Sequence, residues 1–345
     1  MQDRRKLCND ATVSIFGNNG LQTASCLKGQ MEPLHIAVKG ATGFVGKTLV
    51  THMLGWGWSV RCLSRRDAKT FPSHDRLSWF QGDLAQAESI RPDFLDGADV
   101  LIHCAAEIRD ESKMENLHVE GTRTLLELAK TRVRRIVQLS SIGCYGHCFS
   151  GDITEDRECS PVGIYEITKT QAETLVQNSG IPWVILRPSK IYGPEMRSTN
   201  LLSFIHTVNK GMFFFIGPPG AIDCTVHVEN VVEALRLCAT KPEAVGHSYN
   251  LSDVMTIEEM VSHICKGLGR SVPTLRLPES FVRTVAFFLQ WLPGFTLKNS
   301  RINGLTRRAR YVSKLIVDEL GYVPIISPEE GMIQMVETYR SRRAR

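Results

Sequence analysis

The sequence lacks the patterns that would indicate a zinc ribbon, a disulfide-rich domain or a repeat protein. Its ten cysteines occur at irregular spacings and include no C-x-x-C pair. Cys144 and Cys148 flank His147, but no fourth ligand stands at a suitable spacing for a metal ion. No internal repeat and no low-complexity linker is present. We therefore expect no metal site, and we expect free thiols, which indicate a reducing compartment such as the cytoplasm.

The sequence also lacks an apolar run long enough to cross a bilayer. The most apolar segment, Phe281 to Leu292, is interrupted by Arg283 and Gln290 and stops at Pro293-Gly294. A spanning helix needs about 20 predominantly apolar residues. We favour a cap over a substrate pocket for this segment, with a membrane surface as the alternative, and we expect no membrane partner.

The N-terminal region differs from the rest of the chain and lacks the apolar stretch of a signal peptide. We interpret residues 1–31 as a disordered extension, or as residues preceding a true start at Met31. An organelle-targeting peptide is the alternative.

The charge is concentrated at the C-terminus. The chain has 345 residues, 43% of them apolar, and a net charge of +5. Residues 298–345 contain ten Lys or Arg against five Asp or Glu, which accounts for the whole excess. Such residues can meet phosphates, acidic lipids or nucleic acid. We favour a solvated face and a frayed terminus for Arg307, Arg308, Arg310, Arg340, Arg342, Arg343 and Arg345, and expect no nucleic-acid partner.

Strand-like runs alternate with helical patterns through the first part of the chain. Strands are predicted at 35–39, 58–63, 77–80, 100–104, 135–139 and 183–186, and helices near 45–54, 85–95, 114–131 and 162–178. This alternation predicts an α/β fold, a doubly wound parallel sheet of Rossmann type with a smaller C-terminal substrate lobe. We place the nucleotide-binding domain at 32–190 and the substrate lobe at 191–345, with parts near 228–251 returning to the core.

A glycine turn follows the first predicted strand. The segment Gly40-Ala41-Thr42-Gly43-Phe44-Val45-Gly46 stands between the apolar run His35–Lys39 and a helical pattern. A strand, a glycine turn and a helix bring backbone N–H groups and a positive helix end to one point, which suits a pyrophosphate. A tight turn without a ligand is the alternative. We expect Gly40, Thr42, Gly43, Phe44, Val45 and Gly46 to contact a dinucleotide.

The end of the second strand indicates which nucleotide binds. An acidic residue there would hold the adenosine ribose and select NAD. Instead Ser64 is followed by Arg65 and Arg66, whose guanidiniums suit a 2′-phosphate. We therefore favour NADP over NAD, with Arg65 as the contact. In the alternative interpretation these arginines are solvated and Asp67 pairs with one of them.

Three residues form a candidate catalytic group. Ser141 ends the fifth strand, and Tyr165 follows 24 residues later with Lys169 one helical turn on. A free phenol titrates near pH 10, but a lysine ammonium and a positive nicotinamide ring should lower that pKa. Tyr165 would then exchange a proton with a substrate oxygen that Ser141 holds, and Lys169 would bind the nicotinamide ribose. A surface helix pair is the alternative for an isolated Tyr and Lys at this spacing.

Together these residues resemble the extended short-chain dehydrogenase/reductase family, also called the NAD-dependent epimerase/dehydratase family. The resemblance runs from about His35 to Tyr339 and rests on the following motifs: the glycine turn, Gly82-Asp83-Leu84, His103-Cys104-Ala105-Ala106, Val119-Glu120-Gly121-Thr122, Ser140-Ser141 with Tyr145-Gly146, Tyr165 with Lys169, Leu186-Arg187-Pro188, Ile191-Tyr192-Gly193-Pro194, Val228-Glu229-Asn230-Val231-Val232 and Glu319-Leu320-Gly321-Tyr322-Val323-Pro324.

The resemblance implies further cofactor contacts. Asp83 and Leu84 would flank the adenine, Ala105 and Ala106 would lie beside the central part of the cofactor, and Pro188 would lie near the nicotinamide. It also implies a homodimer through the helices near 114–131 and 162–178.

Three positions depart from the family pattern. Lys39 replaces the usual Thr before the glycines, and His118 replaces a frequent Asn. Ile142 and Gly143 stand where family dehydratases and decarboxylases carry acidic residues after the catalytic Ser or Thr. Without that acid–base group, we expect no elimination of water.

The functional interpretations that remain differ in how the cofactor is used. We favour an NAD(P)-dependent oxidoreductase that transfers a hydride at a secondary alcohol or ketone of a small molecule, similar to 3β-hydroxysteroid dehydrogenases or dihydroflavonol reductases. Met212-Phe213-Phe214-Phe215, Val228–Val232 and Phe281–Leu292 favour an apolar pocket. The alternatives are a nucleotide-sugar 4-epimerase with retained NAD and an NAD(P)-binding sensor without turnover.

Overall fold

The structure, a computed structural model, describes residues 33–67, 69, 71, 73–196, 198–289 and 299–343. Three parts of the chain discussed above lie outside these residues: the expected extension over 1–31, the Leu292 to Gly294 end of the apolar segment, and Arg345. The strands are β1 (His35–Lys39), β2 (Ser59–Ser64), β3 (Leu77–Gln81), β4 (Val100–His103), β5 (Arg135–Leu139), β6 (Ser150–Ile153), β7 (Trp183–Pro188), β8 (Lys190–Tyr192), β9 (Phe215–Ile216), β10 (Ile222–His227), β11 (Ser248–Leu251), β12 (Asp253–Thr256), β13 (Arg276–Leu277) and β14 (Arg308–Tyr311). The α-helices are α1 (Phe44–Gly55), α2 (Gly121–Ala129), α3 (Ile164–Gln177), α4 (Asn200–Asn209), α5 (Val228–Thr240), α6 (Ile257–Leu268), α7 (Glu279–Leu289), α8 (Asn299–Thr306), α9 (Lys314–Leu320) and α10 (Pro328–Arg343).

The central sheet has seven strands in the order β11-β7-β5-β4-β1-β2-β3, and every neighbouring pair is parallel. The strands are short apolar runs because both faces of such a sheet are buried under helices. The chain order reverses between β1 and β4, so the carboxyl ends of these strands open a crevice. The predicted doubly wound parallel sheet is confirmed.

Alternate residues of the strands supply two separate cores. Val38 points to the face covered by α1 and α5, where Leu49, Met53 and Leu235 are fully buried. Ala37 points to the opposite face, which is covered by α2 and α3. Burying each large aliphatic side chain contributes about 1.5–3 kcal/mol. The two faces together hold the strand ends, and therefore the crevice, in place.

The C-terminal part of the chain builds a second layer beside the sheet. The short sheet β12-β10-β8 is joined by α4, α6 and α10, which pack around buried residues such as Ile205, Ile264 and Met335. Two elements of this part belong to the central sheet instead, since α5 covers one face and β11 forms an edge strand.

Two predicted helices differ in the structure. The helix predicted over 85–95 is wrong, because this stretch forms only two 3₁₀ turns, Ala87–Ser89 and Pro92–Leu95. The cause is Pro92, which holds the preceding Arg91 in an extended conformation. The helix predicted over 114–131 begins with a π-helical turn, Asn116–Glu120, before α2. That turn places His118 in the interior.

The basic C-terminal residues are attached to the fold, so the expected frayed terminus is wrong as far as Arg343. Helix α10 continues to that residue, and Arg342 donates to the carbonyls of Pro194 and Met196. Arg310 pairs with Asp152 on the neighbouring strand. Among the described residues, no helix combines the length and the apolar character needed to cross a membrane.

Candidate active site

The glycine turn between β1 and α1 is closely packed against neighbouring backbone. A Cβ on Gly46 would lie 2.1 Å from the Gly40 carbonyl oxygen, and a Cβ on Gly40 would lie 2.6 Å from the Ala105 nitrogen. Gly40 also has φ +96°, which favours glycine. The turn is closed by a hydrogen bond from the Gly43 N–H to the Gly40 carbonyl oxygen (2.9 Å). The turn therefore leads directly into the first residues of α1, with Gly43 as the N-cap.

The glycine turn opens onto one large cleft of about 1460 Å³ at the carboxyl edge of the central sheet. Most of the residues predicted to bind cofactor or to act in catalysis line this cleft. They are Gly40, Thr42, Gly43, Phe44, Val45, Gly46, Arg65, Ala105, Ala106, Ser141, Tyr165, Lys169 and Pro188.

Two predicted cofactor contacts lie outside the wall of the cleft. Leu84 is buried in the core against Gly121, where a Cβ would approach the Leu84 Cβ to 2.8 Å. Asp83 is half-buried and accepts a hydrogen bond from the Ala85 N–H. Both follow β3, next to the end of β2.

The end of β2 presents positive charge to the cleft. Arg65 and Arg66 are exposed and line it, while Ser64 is buried and accepts a hydrogen bond from the Arg66 N–H (3.1 Å). Asp67 accepts a hydrogen bond from the Lys69 N–H (3.0 Å). The β1–α1 turn and this arginine pair thus face one space, which is large enough for a dinucleotide.

Ser141, Tyr165 and Lys169 reach the cleft from β5 and α3. The Ser141 Oγ accepts a hydrogen bond from the Gly143 N–H (3.1 Å) at the start of a 3₁₀ turn that directs the serine toward the cleft. Lys169 is 3% exposed, and its ammonium donates to the Leu139 carbonyl oxygen (2.7 Å). Burial, opposed by the Glu173 carboxylate, lowers the pKa of Lys169 to about 8.

The expected lowering of the Tyr165 pKa is wrong for the protein without cofactor. Burial, assisted by the Glu166 carboxylate, raises the pKa of Tyr165 to about 12. Lys169 does not counter this effect, since its ammonium is held at the Leu139 carbonyl on the strand side. Tyr165 is therefore a phenol, a proton donor, at neutral pH.

Glu166, on α3, places a carboxylate near Ser141. A Cβ on Gly143 would lie 2.6 Å from the Glu166 Cγ, 3.4 Å from the Ser141 Oγ and 3.6 Å from the Glu166 Oε1. The carboxylate and the serine hydroxyl therefore lie beside the same glycine, and both residues line the cleft. The two positions after Ser141 are Ile142 and Gly143 and carry no acid, but the fold brings a carboxylate near the serine from α3. The expectation that the protein does not eliminate water stays a prediction.

His118 supports Tyr165 from behind. Its Nε2 accepts a hydrogen bond from the Glu107 N–H (2.9 Å), so its Nδ1 carries the proton and donates to the Thr168 Oγ1 (2.8 Å). The imidazole lies edge-on to the Tyr165 ring, with centroids 5.6 Å apart. Burial, with the nearby Lys169 ammonium, lowers the pKa of His118 to about 4, so the ring is neutral.

The far wall of the cleft is more polar than the sequence suggested. Arg307 lines it and donates to the Cys148 carbonyl oxygen (2.8 Å), so this arginine does not belong to a solvated face. His147 and Asn200 join it, next to the apolar side chains of Met196 and Tyr311.

The aromatic segments expected at the pocket lie elsewhere. Phe213 and Phe215 are buried in the C-terminal core, and Val228–Val232 packs on the central sheet. Helix α7 packs through Val282 and Ala286 and exposes its phenylalanines; none of its described residues lines the cleft. The expected cap over the pocket is therefore wrong for the described part of this segment.

Known proteins are similar to this chain in sequence and in fold. The model of the NAD dependent epimerase/dehydratase family matches residues 36–252. Sterol demethylase protein B of Methylococcus capsulatus is 31% identical over 88% of this chain and 98% of its own length. The 3beta-hydroxysteroid-dehydrogenase/decarboxylase isoform 1 of Arabidopsis thaliana is 24% identical over 89% of this chain and 80% of its own. The crystal structure of UDP-glucuronic acid 4-epimerase from Bacillus cereus, in complex with NAD, superimposes with a TM-score of 0.67 at 19% identity, over 90% of this chain and 99% of that one.

Proposed function

Because the chain belongs to the NAD-dependent epimerase/dehydratase family, we propose that it is an NADP-dependent oxidoreductase acting on a secondary alcohol or ketone. The observation that carries this proposal is the convergence of Ser141, Tyr165 and Lys169 on the same cleft as the glycine turn and Arg65. Residues 32–190 would form the nucleotide-binding domain, and residues 191–345 would supply the substrate lobe.

The residues of the chain fit the cofactor. The glycine turn would hold the pyrophosphate through the first amides of α1, and Ala105 and Ala106 would border the central part. Pro188 would lie near the nicotinamide, and Asp83, which is half-buried after β3, would lie beside the adenine. Arg65 would bind a 2′-phosphate, which favours NADP over NAD. A bound nicotinamide cofactor supplies or accepts the hydride.

Proton transfer would be the task of Tyr165. As a phenol at neutral pH, Tyr165 gives its proton to the ketone oxygen of the substrate, and as a phenolate it takes the proton from the alcohol in the reverse direction. The Ser141 hydroxyl donates to the same oxygen and orients it. The Lys169 ammonium, one turn from Tyr165 on α3, stabilises the phenolate once the site is filled.

The substrate class follows from the relatives and the far wall of the cleft. Two of the proteins compared above carry sterol or hydroxysteroid in their names. Met196 and Tyr311 offer an apolar surface in the cleft, while Arg307 offers a cation. We propose a ring-fused, mainly apolar alcohol or ketone, similar to the substrates of 3β-hydroxysteroid dehydrogenases.

The test is reduction of a panel of steroid and flavonoid ketones with NADPH by the protein and by its Tyr165→Phe variant. We expect turnover with at least one ring-fused ketone, and a loss of about 10³-fold in the variant. NADPH affinity should remain within about twofold, because the hydroxyl that is removed serves the substrate oxygen. Equal turnover by the two proteins would refute this mechanism.

A nucleotide-sugar 4-epimerase is the second candidate, and the polar wall with Arg307, His147 and Asn200 favours it. Such an enzyme oxidises and re-reduces one carbon on a retained NAD. Purifying the protein without added nucleotide, denaturing it and identifying any nicotinamide released separates the two. Near-stoichiometric NAD would favour the epimerase, whereas empty protein that binds NADPH would favour the reductase.

We also propose a cytoplasmic homodimer that pairs through α2 and α3. Ile164 and Ile167 on α3 are exposed and could meet a second copy. In the Ile167→Glu variant, the molecular mass measured by analytical ultracentrifugation should be half that of the parent protein. An unchanged mass would place the contact elsewhere or show that the protein is a monomer.

A further inference from the structure

Lys39 is the last residue of β1, directly before the glycine turn, and it is 5% exposed. Its neighbours in the sheet are Leu63 on β2 and His103 on β4. Because side chains alternate along a strand, Lys39 shares the face of Ala37, opposite to that of Val38 and α1. Lys39 also lines the cleft, and its side chain lies on the face of the sheet opposite to α1.

Among the described residues, the ammonium of Lys39 has no fixed counter-charge. Within the described ranges no ion pair to Lys39 is formed, and the two charged groups that act on its pKa are the Asp83 carboxylate and the Arg65 guanidinium. Burial lowers the pKa of Lys39 to about 8, with Asp83 opposing and Arg65 adding to the effect. A buried ammonium without a partner is costly to the fold. A small polar residue at position 39 would fit the end of the strand without the free-energy cost of burying a charge.

A dianion between Lys39 and Arg65 would remove the cost. The pyrophosphate of the cofactor is not that anion, because it belongs at the N-terminus of α1, on the opposite face of β1. The 2′-phosphate of the adenosine ribose belongs at the end of β2, where Arg65 stands. Lys39 approaches that place from the neighbouring strand.

We propose that Lys39 is a specificity-determining residue that binds the 2′-phosphate of NADP together with Arg65. The proposal rests on the proposed NADP dependence and deepens it. Lys39 contacts the phosphate from within the sheet, whereas Arg65 covers it from the solvent side. The buried contact contributes more to discrimination, because charge pairs are stronger away from water.

The test uses cofactor fragments, so it requires no substrate and no turnover. Adenosine 2′,5′-bisphosphate and adenosine 5′-monophosphate are titrated by calorimetry into the full chain and into Lys39→Met, which keeps the length of the stem. Lys47→Met is the matched control, since Lys47 is exposed on α1 and pairs with Glu195. We expect Lys39→Met to lose about 10- to 100-fold in affinity for the bisphosphate and less than about twofold for the monophosphate. Lys47→Met should change neither.

A pH series gives a second measurement on the same proteins. The charged groups that face Lys39 are Arg65 after β2, Asp83 after β3 and His103 on β4. Burial holds the pKa of His103 well below its ordinary value, so this imidazole stays neutral between pH 7 and 9. Bisphosphate affinity should therefore fall between pH 7 and 9 in the parent protein as Lys39 loses its proton, and stay level in Lys39→Met.

The outcomes separate the two proposals. If the parent protein binds the two fragments equally, the NADP dependence fails and the role of Lys39 fails with it. If the parent protein prefers the bisphosphate and Lys39→Met keeps that preference, NADP dependence stands and the role of Lys39 is overturned. Equal weakening of both fragments in Lys39→Met, with thermal unfolding unchanged, would also overturn it, by assigning Lys39 to the adenosine site as a whole.

Discussion

Two buried lysines line the cleft on either side of β4, and they differ in what holds their charge. Lys169 donates to the Leu139 carbonyl and faces the Glu173 carboxylate, whereas Lys39 makes no ion pair in the part of the chain that the structure describes. Burial lowers the pKa of each to about 8. The proposed reacting end of the cleft thus supplies its own partners, whereas the proposed nucleotide end leaves a charge with which a ligand would pair.

This difference has a physical reason. A proton-transfer group must stay in one geometry while the substrate changes, so internal hydrogen bonds to its supporting lysine are useful. A cation discriminates more strongly between ligands when the ligand is its main partner. The free energy of the new ion pair then contributes in full to the binding affinity. The comparison predicts that variants of the two lysines separate turnover from nucleotide recognition.

The largest expected effect follows from Lys169→Met. Turnover with NADPH should fall about 10³-fold, because the phenolate of Tyr165 loses its nearby cation. Affinity for adenosine 2′,5′-bisphosphate should stay within about twofold, since that fragment has no nicotinamide ribose. Steady-state kinetics and calorimetry measure the two. If Lys169→Met and Lys39→Met weakened both properties alike, the division between the two ends of the cleft would be wrong.

The next effect concerns the backbone at the nucleotide end. Gly46→Ala places a Cβ 2.1 Å from the Gly40 carbonyl oxygen, so the turn must open. We expect a loss of about 100-fold or more in affinity for both adenosine fragments, because the first amides of α1 would no longer be oriented toward the phosphate. Gly55→Ala is the matched control at the other end of the same helix, where a Cβ meets nothing within 4 Å. Similar affinities for the two variants would show that the turn tolerates a side chain.

A smaller effect is expected for the positioning residue His118. His118→Ala removes the acceptor of the Glu107 N–H and the donor to Thr168, so Tyr165 and the segment after β4 lose a shared support. We expect kcat to fall about tenfold with little change in KM for NADPH. His118→Asn, which can supply a shorter donor and acceptor, should recover part of the loss. His247→Ala, on the exposed far side, serves as the control. Equal losses in the Ala and Asn variants would indicate a general effect on the fold.

The smallest effect is a shift in pH dependence. Glu166 is among the groups that raise the pKa of Tyr165 to about 12, so Glu166→Gln should lower that pKa. Alcohol oxidation needs the phenolate and rises with pH through this pKa, so its rising limb should move to lower pH by about half a unit. Rate profiles between pH 7 and 11 measure the shift. A move to higher pH would mean that Glu166 acts on the substrate and not through Tyr165.

Much of the fold could be predicted because its signals are local. Runs such as His35–Lys39 and Arg135–Leu139 are apolar on both faces, and this pattern suits only a strand covered on both sides. The prediction of a helix over 85–95 was wrong for an equally local reason: the apolar spacing favours a helix there, but Pro92 prevents one. The π-helical turn before α2 could not be predicted, since its sequence carries the same spacing as an ordinary helix.

The candidate site was predictable wherever its residues lie close together along the chain. The glycine turn, and Tyr165 with Lys169, are such cases. The predictions failed where distant segments meet. Phe213 and Phe215 were expected at the pocket but fill the C-terminal core, and Arg307 was expected in solvent but lines the cleft. Apolar periodicity indicates that a side chain is buried, but it does not indicate which other side chains it packs against.

The sequence by itself determined the parallel sheet, the glycine turn and the Tyr165–Lys169 pair, because strand burial, turn geometry and helical spacing act within a few residues. Only the tertiary structure decided that Glu166 lies beside Ser141, that the pKa of Tyr165 is raised in the protein without cofactor, and that Lys39 lines the cleft with no ion-pair partner among the described residues. These are matters of burial and of distances between charges on different elements, and such distances exist only once the chain has folded.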